Sequence, residues 1–118
     1  MVYEIASLPI KPNRIDAFRR AFSEVAHLLS RAKGHQGHRL LQGVETPSHF
    51  SLVVQWRTLE DHTEGFEPSE DHRVFMTGLQ AHLAAEPSVR HVRMAFPADE
   101  AHFGEHAGTG RKDHPMWP

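Results

Sequence analysis

The feature that most constrains the fold is the run Phe50–Trp56, which reads FSLVVQW. Side chains of a strand alternate between the two faces of its sheet. One face of this run therefore carries only apolar residues, which are Phe50, Leu52, Val54 and Trp56. The other face is mixed, with Ser51, Val53 and Gln55. This pattern predicts a strand whose sheet is covered by helices on one side and by a less apolar layer on the other.

A second strong pattern predicts a helix from Arg14 to Lys33. Its apolar residues recur at steps of three and four, at Ile15, Phe18, Phe22, Val25, Leu29 and Ala32. This spacing forms one stripe along an α-helix. We expect Asn13 to cap the helix, Asp16 to favour its first turn, and Gly34 to end it.

The remaining elements follow from shorter signals. Strands are predicted at residues 2–9, 38–44 and 89–96. Thr58 is expected to begin a helix that runs to about Phe66, and Ser69 to cap a further helix that ends before Pro87. The order β-α-β-β-α-β is that of the ferredoxin-like α+β fold, in which a four-stranded antiparallel sheet has helices on one face.

The second face of this sheet is expected to bind another copy of the chain. We place Val53, Val89 and His91 on it, a set too apolar to be left in water and too polar for a deep core. A homodimer is therefore predicted. The domain is expected to span residues 1–96, with an irregular tail at 97–118 whose Phe103, Met116 and Trp117 could dock on the body or on a partner subunit.

Composition excludes several classes of function. The formal net charge of -2 and the absence of a basic run argue against binding to nucleic acid or to an anionic membrane. The chain has no cysteine, so disulfides, thiolate metal sites and cysteine nucleophiles are excluded. No apolar run is long enough to span a bilayer, and the first residues do not resemble a signal peptide, so a cytoplasmic location is expected.

The segment from Trp56 to Phe75 resembles the antibiotic biosynthesis monooxygenase (ABM) family. The matching residues are Trp56, Leu59, Glu60, His62, Thr63, Gly65, Phe66, Ser69 and Phe75. The resemblance implies a dimeric α+β barrel. It leaves the activity open, because some members oxidise phenols or quinols without a cofactor, others degrade haem, some have no known activity, and related barrels cyclise polyketides.

The resemblance is incomplete at the positions that matter for chemistry. The haem-degrading members use a His on the last helix and an Asn on the first strand, where this chain has Met76 and either Ala6 or Ser7. Haem degradation is therefore disfavoured. In the quinone-forming members the matching Trp is accompanied by an Asn and a Tyr, which are replaced here by Leu52 and His62.

His62 is the predicted catalytic base. Its ordinary pKa of roughly 6.5 suits proton transfer near neutral pH. Trp56, Phe66, Phe75 and Phe22 are predicted to line a substrate pocket, together with His72 at the start of the last helix. The plainer alternatives are a surface histidine at position 62, an exposed His72, and aromatic residues that only fill the core.

No metal and no cofactor are predicted. The chain has eleven histidines, but the pairs His35/His38 and His102/His106 each lack a third ligand. No phosphate-binding glycine loop is present either. Three functions stay open: a cofactor-free monooxygenase acting on a small phenol, quinol or polyketide-like aromatic, a cyclase or isomerase using the same cleft, and a non-catalytic binding dimer.

Overall fold

The computed structural model describes residues 1–96, and they adopt the predicted β-α-β-β-α-β order. The strands are β1 (Val2–Pro9), β2 (His35–Gln42), β3 (His49–Trp56) and β4 (Ser88–Val92). The helices are α1 (Ile15–Ser30) and α2 (Glu70–Gln80), with a short 3₁₀ turn at Pro12–Arg14 and a π-helix at Asp61–Phe66. The predicted tail at 97–118 lies outside the described residues.

The four strands form one antiparallel sheet in the order β2-β3-β1-β4. The two central strands pair Ala6 with Leu52 and Ile5 with Val53. The first of these pairs faces the helices and the second faces away, because successive side chains alternate. The apolar face predicted for β3 is confirmed, since Phe50, Leu52, Val54 and Trp56 are all buried.

The helices cover that face and close one core. The largest fully buried side chains come from every layer: Trp56, Phe18, Phe50, Ile10, Leu29, Leu79 and Val54. The predicted cap of α2 is confirmed, because the backbone N–H of His72 donates to Ser69 Oγ at 3.1 Å. Thr58 Oγ1 likewise accepts the backbone N–H of Asp61 at 3.0 Å. Among residues 1–96, no helix is both long and apolar enough to cross a membrane.

Some predicted boundaries were wrong. Asn13 does not cap α1, because it lies within the 3₁₀ turn and the helix begins at Ile15 without a side-chain cap. Strand β2 begins at His35 rather than His38. Strand β4 ends at Val92, and Phe96 is 82% exposed.

The face assigned to Val89 and His91 was also wrong. Val89 pairs with Ala6 and His91 with Glu4, and both partners point toward the helices. Paired residues share a face, so these two side chains lie on the helix side of the sheet. The open face of the sheet instead carries Tyr3, Ile5, Ser7, Arg39, Leu41, Ser51, Val53, Gln55, Arg90 and Val92.

Candidate functional site

A buried polar contact between the two central strands begins the site. Trp56, the last residue of β3, has no exposed surface, and its indole Nε1–H donates to Glu4 Oε1 at 2.9 Å. Glu4 is only 7% exposed. It occupies an inward position of β1, where the neighbouring inward residue is Ala6. A carboxyl group in such a place needs hydrogen-bond donors, and the indole is one of them.

His62 completes the site from the π-helix. It is 2% exposed, and its ring stacks on that of Trp56 with centroids 5.2 Å apart and an interplanar angle of 20°. His62 Nε2 lies 3.3 Å from Glu4 Oε1, and His62 Nδ1 lies 2.8 Å from His91 Nε2. Both ring nitrogens therefore face a polar partner. His91 reaches the site from the edge strand β4 and is half-buried.

Burial sets the protonation of this group. Desolvation lowers the pKa of His62 to about 4, although the Glu67 carboxylate acts in the opposite direction. Desolvation also raises the pKa of the Glu4 carboxyl, against the indole hydrogen bond, which lowers it. His62 is thus neutral at neutral pH and able to accept a proton, while Glu4 holds a proton more readily than an exposed glutamate does.

The predicted aromatic wall is one continuous cluster. The ring of Phe66 lies 5.8 Å from that of Trp56 and 6.2 Å from that of Phe75, which in turn lies 6.0 Å from Phe22. His72 contacts the same cluster edge-on, with its ring 5.3 Å from Phe66. The structure therefore brings together all six of the site residues predicted from the sequence. Their roles stay predictions.

A groove adjoins this cluster at Phe66. It has a volume of about 490 Å³ and runs between the end of α1 and the π-helix. We call it the Phe66 groove. Most of its lining is charged, and the full set is Arg31, Ala32, Lys33, Glu60, Asp61, Glu64, Gly65, Phe66, Ser69 and Asp71. Trp56 and His62 do not line this groove, whereas Phe66 does, and its ring lies 5.8 Å from that of Trp56.

Two polar members of the site were missed from the sequence. Glu4 carries a recognisable signal, since it is a charged residue at an inward position of a strand whose other inward residues are apolar. His91 was placed on the wrong face. Its role at the site depends on its pairing with Glu4, which strand alternation alone does not reveal.

Two histidine pairs in the sequence have a spacing that could suggest metal ligands. His35 Nε2 lies 2.9 Å from His38 Nδ1, at the irregularity in β2. Within residues 1–96, no three His, Cys, Asp or Glu side chains are grouped so that they could hold a metal ion. His102 and His106 lie outside the described residues.

The fold and the buried Trp–His–Glu site define a small ferredoxin-like α+β protein with an aromatic-lined interior. A profile of the antibiotic biosynthesis monooxygenase family matches residues 1–78. The chain belongs to this family. That match covers β1 to most of α2 and so includes every site residue except His91.

Individual relatives agree with this assignment. The uncharacterized protein YczJ of Bacillus subtilis (strain 168) is 37% identical over 91 residues, which are 77% of this chain and 96% of YczJ. A crystal structure from Bordetella bronchiseptica, of a protein described as a proposed antibiotic biosynthesis monooxygenase, has a TM-score of 0.77 at 29% identity. It covers 80% of this chain and 97% of its own.

A protein of Nitrosomonas europaea with the same description has a TM-score of 0.70 at 17% identity, over 81% of this chain and 100% of its own. At that identity the likeness concerns the fold alone. The same fold hosts unrelated reactions in different proteins, so the activity has to be argued from the site.

Proposed function

We propose that this protein is a cofactor-independent monooxygenase that oxidises a small aromatic substrate. The observation that carries the proposal is His62, a buried, neutral imidazole stacked on Trp56 and flanked by a carboxyl group. A neutral imidazole can accept the proton of a phenol or of an enolisable aromatic ketone. The surrounding aromatic rings form the kind of apolar surface that binds a planar substrate.

Oxidation of such a substrate by molecular oxygen needs few groups from the protein besides the base. Once deprotonated, an electron-rich aromatic anion transfers an electron to molecular oxygen, and the two radicals combine to a peroxide. For anthrone, loss of water from the peroxide gives anthraquinone, so one anthrone and one O₂ yield one quinone and one water. The substrate supplies all the electrons. The protein contributes the base, the position of the ring, and a dry environment.

We place the substrate at the Phe66 groove. Its volume of about 490 Å³ falls in the range of small-molecule sites. We propose that a change of the Phe66 rotamer joins the groove to Trp56, whose ring lies 5.8 Å from that of Phe66, and so to His62, which stacks on Trp56. The proposal thus includes an opening motion at Phe66, since His62 is only 2% exposed when the ring is in place.

Oxygen uptake with anthrone and with 1,4-dihydroxynaphthalene tests the proposal. We expect the full chain to consume oxygen, and His62→Ala to reduce kcat by about 100-fold or more, which is typical of a lost general base. His27→Gln, at an exposed position on α1, is the matched control and should leave kcat unchanged. Turnover that survives His62→Ala unaltered would remove His62 from the mechanism.

The same experiment separates the alternatives. A cyclase or isomerase would form product without oxygen, so turnover under anaerobic conditions would favour it. A non-catalytic binding dimer is favoured by one specific observation, the closed packing of Trp56, His62 and Phe66, which are 0%, 2% and 5% exposed. The hypothesis of a non-catalytic binding dimer predicts no turnover at all. It also predicts that His62→Ala leaves ligand binding unchanged.

We further propose that two copies pair through the open face of the sheet. Its centre is the apolar pair Ile5 and Val53. Leu41, on the same face, is 38% exposed. The face also carries Arg39 and Arg90, which suit the rim of an interface better than its centre. A stable pair is expected to bury about 1,200 Å² or more. Light scattering at micromolar concentration should give the mass of a dimer.

A further inference from the structure

Two hydrogen bonds and one close contact connect the interior of the protein, through His62, to the edge of the sheet. Trp56 Nε1 and His62 Nε2 both approach Glu4 Oε1, at 2.9 and 3.3 Å. The other nitrogen of His62 lies 2.8 Å from His91 Nε2. Because both nitrogens of His62 have partners, this residue offers no free lone pair to a substrate in the packed state. A proton that enters His62 must come through one of those partners.

The three side chains differ in how exposed they are to solvent. Glu4 is 7% exposed and His62 is 2% exposed, whereas His91 is half-buried on the edge strand β4. Within residues 1–96, the hydrogen bond of the His91 side chain uses Nε2 and leaves Nδ1 for other contacts. His91 is therefore the outer end of this series of contacts and Glu4 the inner end.

We propose that His91, His62 and Glu4 act as a proton relay, in which His91 takes up the proton and Glu4 stores it. The proposal rests on the proposed function, because the substrate is the proton donor there. In the resting state Glu4 is a carboxylate, His62 carries its proton on Nε2 and donates to Glu4, and His91 carries its proton on Nε2 and donates to His62 Nδ1.

Uptake of one proton then shifts each hydrogen of the series to the next acceptor. The substrate proton binds His91 Nδ1, the hydrogen on His91 Nε2 passes to His62 Nδ1, and the hydrogen on His62 Nε2 passes to Glu4. At the end both histidines are neutral with exchanged tautomers, and Glu4 is a neutral acid. No imidazolium has to persist in the interior, where a lone charge is costly.

The electrostatics agree with this role. Burial raises the pKa of Glu4, which makes it a better final acceptor than an exposed glutamate. The titratable groups that act on His62 are Glu4 from β1, His91 from β4, Glu67 after the π-helix, and His72 from α2. Of these, only Glu4 and His91 lie within hydrogen-bonding reach of the His62 ring in the described residues.

Glu4→Gln is the decisive variant. Its side-chain oxygen can still accept from Trp56, so the packing is kept, but the amide cannot take up a proton. NMR of the ¹⁵N-histidine-labelled full chain reports the tautomer of each ring without any substrate. In the wild type we expect His62 and His91 to exchange tautomers together as Glu4 titrates. In Glu4→Gln this joint change should be absent, while His27→Gln should retain it. Tautomers of His62 and His91 that stay unchanged while Glu4 titrates in the wild type would overturn the relay.

Steady-state kinetics with anthrone as substrate provide a second test. Glu4→Gln should lower kcat by about tenfold or more with little change in KM, because it affects proton movement and not substrate contact. His91→Gln should lower kcat by a similar factor, because it removes the group that receives the substrate proton. Wild-type kcat in both variants would overturn the relay and leave the monooxygenase proposal intact. Absence of oxygen uptake by the wild type would instead overturn the monooxygenase proposal, and the NMR result would still decide whether the three groups share a proton.

Discussion

The buried state of His62 has a measurable consequence for stability. The folded protein holds the pKa of this imidazole at about 4 through desolvation, whereas an unfolded chain has a histidine pKa of roughly 6.5. Between these two values the unfolded state binds a proton at this position and the folded state does not. Proton binding therefore lowers the free energy of the unfolded state as the pH falls, and the stability of the folded protein decreases.

The size of the effect follows from the two pKa values. Linkage gives almost no contribution above pH 7.5, a loss of about 2 kcal/mol at pH 5, a loss of about 3 kcal/mol at pH 4, and a limit of about 3.4 kcal/mol at still lower pH. Glu4 acts with the opposite sign, since its raised pKa favours the folded state as the pH falls. A comparison between two proteins that both contain Glu4 removes most of that opposing effect.

The assay is therefore a difference measurement. Urea unfolding of the wild type and of His62→Gln, followed by far-UV circular dichroism at pH 7.5, 6, 5 and 4.5, gives the free energy of unfolding for each. We expect the wild-type value minus the variant value to fall by about 2 kcal/mol between pH 7.5 and pH 5. The difference between wild type and His27→Gln, at an exposed site, should vary much less. A His62→Gln difference that is independent of pH would refute the claim that His62 is buried and neutral.

Two further outcomes test other parts of the structure. Gly34→Ala should destabilise the protein by about 2–3 kcal/mol in urea unfolding, because Gly34 has a φ of +86° and a Cβ there would lie 2.2 Å from Asp61 Oδ2. Gly37→Ala is the matched control at φ +149°, with nothing within 4 Å of the added carbon, so equal losses in the two variants would contradict the importance of the Asp61 contact. Val53→Asp, at the centre of the open sheet face, should give a monomer by light scattering, whereas Val44→Asp, at a position that is 87% exposed, should leave the dimer. A dimeric Val53→Asp protein would place the interface elsewhere.

The fold could be predicted from the sequence because its two strongest signals depend on local periodicity. The alternation in β3 identifies the buried side of the sheet and the position of Trp56. The stripe through Phe18, Phe22 and Leu29 identifies the inner side of α1. Both patterns arise from burial of one face, which leaves a regular trace in the sequence.

The polar part of the site was harder to predict, because it depends on which strands are neighbours. His91 lies on the opposite side of β4 from Val92, and apolar character alone favours Val92 as the inward residue. The inward position of His91 follows instead from its pairing with Glu4 and its contact with His62. The π-helical hydrogen bonding at residues 61–66 leaves no comparable trace, although a helix was expected there.

The place of β1 in the middle of the sheet also determines when the site can exist. Both neighbours of this strand are made later in the chain, and the partner of Glu4 on β4 is made last. During synthesis, β1 stays without its strand partners until the later elements of the chain have been made. These elements are α1, the hairpin of β2 and β3, α2 and β4. Pairing across such long sequence separations is slow compared with helix formation. Assembly of Glu4, His62 and His91 into one site is therefore expected late in folding. A protein arrested before β4 docks would have a helical signal and an aromatic core but no completed site.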